Sequence, residues 1–93
     1  MIDSNRFDQL CRQLERYQRD YSLAKNTIES TKRALAEFVL LNAEVIAKGQ
    51  AVDLSAYEES ITEAEWDMGY AAKTFEETKN QLAAMVNRIG LHE

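Results

Sequence analysis

Apolar residues recur along this chain at alternating steps of three and four. From Phe7 the series runs Leu10, Leu14, Tyr17, Tyr21, Ala24, Ile28, Thr31, Leu35, Phe38, Asn42 and Val45, and only Thr31 and Asn42 are polar. That spacing marks one face of a helix; a strand would alternate at every second residue. A second series, Leu54, Tyr57, Ile61, Ala64, Met68, Ala71, Phe75, Thr78, Leu82, Met85 and Ile89, is broken only by Thr78. Two long helices are predicted, over about 4–47 and 54–89, joined by a turn at 48–53. Heptad spacing sustained this long is coiled-coil-like, and the short connection makes the helices antiparallel. The predicted fold is all-α: a single hairpin domain spanning 1–93.

Local signals agree with these bounds. Asp3 and Asp53 stand where each helix begins, with Ile2 placed to pack on Phe7 and Val52 on Tyr57, an N-cap and hydrophobic staple each time. Ser55 with Glu58 offers an alternative capping box. Lys48-Gly49 puts a cation and then a C′ glycine at the end of the first helix, and Arg88-Ile89-Gly90 does the same for the second. The central d positions Ala24, Thr31, Ala64, Ala71 and Thr78 are small, so small residues should meet in the middle of the hairpin and let the helices approach closely. The pattern leaves the exact register open.

One seam does not use all the apolar surface. Residues 34–47 are apolar nearly all round, with Val39, Leu41 and Ile46 flanking the seam and Ala36, Leu40, Ala43 and Ala47 lining a second stripe. Helices of that kind are covered on several sides. The expectation is a homodimer, a four-helix bundle whose interface includes Val39, Leu40, Leu41 and Ile46. The alternatives are a monomer with an apolar flank and a constitutive complex with another protein.

Composition narrows the function. The chain has no proline and three glycines, and a net charge of −5. Residues 1–48 carry eight Lys/Arg against seven Asp/Glu, and residues 49–93 three against nine. The acidic half repels phosphate and anionic lipid, so neither direct nucleic-acid binding nor membrane binding is expected. No apolar run is long enough for a membrane span, and no leader is recognisable. Starting at Met1 without a tag, the chain is expected to be a whole gene product of the cytoplasm, the host's if the protein is viral.

Candidate chemistry is sparse. His92, the only histidine, sits next to the last residue, and Cys11, the only cysteine, flanks the seam as a half-buried thiol. There is no phosphate loop and no Glu-x-x-His pair, so no catalytic, cofactor or metal site is expected.

The informative residues are off the seam. Trp66 and Tyr70 take outward heptad positions one helical turn apart, beside Gly69. Large aromatics there either close an oligomer interface or anchor a partner. Around them lies the acidic run Asp53, Glu58, Glu59, Glu63, Glu65 and Asp67, free of cations from Lys48 to Lys73. It is either a solvated face or a dock for a basic or nucleic-acid-binding protein. The expected partner-binding set is Trp66, Tyr70, Glu59, Glu63 and Asp67. Arg12, Arg16 and Arg19 form a basic stripe on the first helix, with Asp8, Glu15 and Asp20 near enough for i,i+4 ion pairs. Trp66-Asp67-Met68-Gly69 comes near the Trp-x-Gly turn of type VII secretion substrates, small helical hairpins of about this length. Its spacing differs, however, and it falls within a helix rather than in the turn, so membership of that family does not follow.

The functional expectation is a non-enzymatic interaction protein: a small acidic inhibitor or regulator that occupies a surface of a larger protein. By analogy with stand-alone acidic helical products of this size, that includes phage or mobile-element anti-defence proteins and nucleic-acid mimics. The alternative is a structural or chaperone-like coiled-coil adaptor that covers an apolar helix of its partner.

Overall fold

The computed structural model describes residues 4–90. Three helices follow one another: α1 (Ser4–Leu41), α2 (Ala43–Ala47) and α3 (Ser55–Gly90). Among the described residues there is no strand. α3 turns back along α1, and the molecule is a rod of 73 × 15 × 15 Å. The expected contacts of Ile2, Asp3 and Ile89, the cap at Arg88–Gly90 and the His92 tail lie outside the described residues or side chains.

The seam follows the heptad positions. Leu10, Ala24, Ile28, Ala64, Ala71 and Thr78 are buried, and Leu10 is 1% exposed. The other seam residues are half-buried wherever their side chains are described, except Tyr21, which is more exposed. Thr78 is buried without loss because its hydroxyl donates to Thr74 O at 2.8 Å.

Two contacts join α1 and α3, one toward each end of the rod. The Phe38 and Tyr57 rings lie 5.4 Å apart at 46° near the turn. Near the open end the Arg6 guanidinium donates to Gln81 Oε1 at 2.9 Å. The two pairs differ by eight residues in register, about 12 Å of helix rise, so reaching side chains rather than level backbones make them. In the middle of the rod, Ala24 lines one groove with both Ala64 and Ala71. Small residues do meet in the middle, and there the chain has its driest alanines.

The first helix is not continuous to Ala47. It breaks at Asn42, whose backbone adopts φ −107°, ψ 18°. The Asn42 side-chain amide donates to Phe38 O at 2.8 Å, an acceptor that its own backbone N–H also uses at 3.1 Å. A side chain that competes for the helix's own carbonyls weakens the ladder, as asparagine commonly does inside helices.

The turn is built as its glycine requires. Gly49 has φ +80°, a conformation open to glycine at no steric cost. Its N–H donates to Ile46 O at 2.9 Å and the Gln50 N–H to Val45 O at 3.2 Å, the paired bonds of a Schellman motif. At the start of α3, Asp53 Oδ1 accepts from the Ser55 N–H at 2.9 Å and from the Ser55 hydroxyl at 2.6 Å. Those bonds hold the Asp53 carboxyl below the usual carboxylate range, the hydroxyl bond more than the backbone one. Val52 and Tyr57 are both half-buried, as a staple between them requires.

Candidate functional site

Helix α3 starts short of α2, so α2 runs past the end of the seam. It continues the chain beyond α1 across the break at Asn42 and makes no contact with α3. The apolar surplus of residues 34–47 therefore stays open: Leu40 is 74% exposed and Leu41 86%, and Val39 and Ile46 are on the exposed side as well. Nothing among the described residues covers this flank.

The second surface is the middle of α3. Trp66 is 77% exposed and Tyr70 66%, both on good helix backbone one turn apart. With Thr62, Glu65, Gly69 and Lys73 they line one groove, into whose floor Gly69 presents no side chain. Trp66-Asp67-Met68-Gly69 lies mid-helix, far from the turn. The ring of carboxylates expected around Trp66 is thinner than the sequence suggested. Glu65 and the cation Lys73 are the charged residues lining that groove, while Glu63 and Asp67 line a different one.

That other groove runs between the helices. Ala24, Ala64 and Ala71 lie in it, with Asp20, Leu23 and Thr27 from α1 and Ser60, Glu63, Asp67 and Tyr70 from α3. Its charged residues are all acidic. Tyr70 lines both grooves and so joins the Trp66 face to Leu23, itself 65% exposed. Glu59 stands farther toward the helix start, in a depression shared with Glu58 and Glu63. The residues expected to bind a partner thus form a band along α3 rather than one pocket, and Asp20 and Leu23 of α1 extend it. A lone leucine off the heptad stripe is ordinary in a sequence; its closeness to Tyr70 appears only once two helices are set side by side.

Arg12, Arg16 and Arg19 are exposed, and Arg19 shares a groove with Glu15, Gln18, Ser22, Leu23 and Asn26. The i,i+4 ion pairs expected on this face do not form. Among the described residues the one ion pair is Lys79–Glu76 at 3.8 Å, with both side chains exposed, and a pair of that kind contributes little. Cys11 is a half-buried free thiol. Among the described residues no three of His, Cys, Asp and Glu are grouped as metal ligands. None of the described helices is long and apolar enough to cross a membrane.

In comparisons with known proteins, no family model, no curated protein and no solved structure matches this chain.

Proposed function

We propose that this protein is a non-enzymatic interaction module that docks on a protein partner through the outer band of α3: Trp66 and Tyr70 as apolar anchors, Glu59, Glu63 and Asp67 as charged flank. The observation that carries the reading is the exposure of Trp66 at 77% on a regular helix that does not need it for its own packing. Tryptophan and tyrosine supply a large share of binding energy when a partner desolvates them, and flanking charges mainly speed association and select partners of opposite sign. A basic or nucleic-acid-binding protein fits that chemistry. A small acidic rod on such a surface would act as an inhibitor or regulator, with Glu59 and Glu63 in the place of nucleic-acid phosphates.

The open flank at Val39, Leu40, Leu41 and Ile46 favours a second contact, either with another copy in a four-helix bundle or, in an adaptor, with an apolar helix of the partner. Its support is the exposure of Leu40 and Leu41 where α2 outruns α3.

The experiment is affinity capture from the source cell with wild type and Trp66→Ala, followed by titration of the partner recovered. Trp66→Ala should weaken binding by about 2 kcal/mol or more and leave helicity unchanged. Equal binding by the two forms would remove the α3 band as the docking surface.

A further inference from the structure

We infer that the basic partner fitting the α3 band is a second copy of this chain, presenting the Arg12–Leu23 stripe of its α1. The inference rests on the reading of that band as a docking surface and names its occupant. Arg12, Arg16, Arg19 and Leu23 follow one another at steps of four, three and four, and all are exposed. Glu59, Glu63, Trp66 and Tyr70 follow at the same steps, also exposed. Equal steps let two helices lie alongside with every position matched. Laid parallel, Arg12 meets Glu59 and Arg16 meets Glu63. Arg19 then covers the Trp66 ring, a cation–π contact, and Leu23 meets Tyr70. None of these residues forms an ion pair within its own chain among the described residues. The match therefore breaks nothing already made.

The lengths agree as well. Helices α1 and α3 of two copies run parallel when one copy is turned end for end. Arg12 stands about 12 Å from the open end at Ser4, by the helical rise. Glu59 stands about 17 Å from the turn end of the rod by the Phe38–Tyr57 pair and about 29 Å by the Arg6–Gln81 pair. The stripes therefore come level while two 73 Å rods overlap along most of their length. Continuing the match past Leu23 sets Asn26 beside Lys73, Ser30 beside Glu77 and Arg33 beside Asn80, with no like charges opposed. Glu15 and Asp67, both on the margin, are the one like-charged pair on the side of the contact.

The two stripes belong to different helices, so one contact leaves an α3 band free on one copy and an α1 stripe free on the other. Such a contact repeats instead of closing. The chain should form strings, each ending in one free α3 band, and self-pairing and docking on a larger protein would compete for that band.

Sedimentation velocity on the full chain, across concentration and salt, tests this. The expected result is a mass that grows past two copies with concentration at low salt and falls as salt rises. Arg16→Glu and Glu63→Arg should each weaken growth about tenfold or more, and the double variant should restore it. Asp67→Asn should strengthen it. A mass fixed at one or two copies, single variants that grow like wild type, or a double variant no better than either single would overturn the self-pairing and leave the band open to another partner. A Trp66→Ala chain that melts below wild type when both are dilute and monomeric would overturn the docking band itself, and the pairing with it.

Discussion

Ile28 and Leu10 are the residues on which the seam's stability is most directly measured. Both are buried aliphatic side chains on α1, and Ile28→Ala or Leu10→Ala should cost about 2–5 kcal/mol in denaturant unfolding. A loss below about 0.5 kcal/mol at both would contradict the packing, being within the range of surface substitutions. Asp53 supplies a pH signal. Its carboxyl titrates lower in the folded chain than in the unfolded one, so its support for the start of α3 is complete above the ordinary carboxylate range. That support is lost as pH falls from there through the lower folded value. The Ser55 amide resonance should report the titration, and Asp53→Asn should abolish it. These residues were legible in the sequence because each owes its role to chain neighbours or to heptad phase. Asn42 was legible only in part. It stood out as a polar residue in an apolar series, but whether its amide would turn outward or onto Phe38 O depends on local geometry that spacing does not carry.

At the scale of elements, the pairing of small with small is the feature that sequence anticipated best. Ala24, Ala64 and Ala71 were recognisable as undersized d residues, and they are among the most buried positions. Overfilling them should hurt: Ala71→Leu, at a site 2% exposed, should destabilise by about 1–3 kcal/mol. Thermal melts of Ala71→Leu beside the exposed control Ala72→Leu would show whether the effect belongs to the seam. The Gly49 cap is a second test, since φ +80° opposes any Cβ although the space around it is empty. Gly49→Ala should therefore cost about 1 kcal/mol through backbone strain alone. The break between α1 and α2, by contrast, was not anticipated, and neither was the start of α3 short of α2. Both depend on where the turn places the returning chain, and heptad spacing is silent on that.

For the whole molecule, the shape is the first observable. An unpaired chain should scatter as a rod with a Cα radius of gyration near 21.2 Å, and circular dichroism should show a helix content well above half. Leu40→Glu or Leu41→Glu should weaken any closed pairing through the turn-end flank by placing a charge in an apolar contact. Sedimentation equilibrium checks this, and a wild type that stays monomeric at high concentration would assign the flank to a different protein. The distribution of charge between the two halves could be read directly from the sequence. How the grooves divide the acids between Trp66 and Leu23 could not, because that requires knowing which sides of two helices share one surface.

The register has a kinetic corollary. Phe38 and Tyr57 meet across a short stretch of chain, whereas Arg6 and Gln81 meet only after 75 intervening steps. Closing a longer loop costs more entropy, and here the shorter closures lie in order along the rod. Folding should start beside the turn and zip toward the open end, with each heptad bringing the next within reach. A change near the turn, such as Tyr57→Ala, should then mainly slow folding, while Leu10→Ala should mainly hasten unfolding. Stopped-flow chevrons of the two variants should separate on opposite arms. The open end, the last to close, would be the first to part when the rod is pulled or heated, exposing Leu10 while Phe38 and Tyr57 still hold.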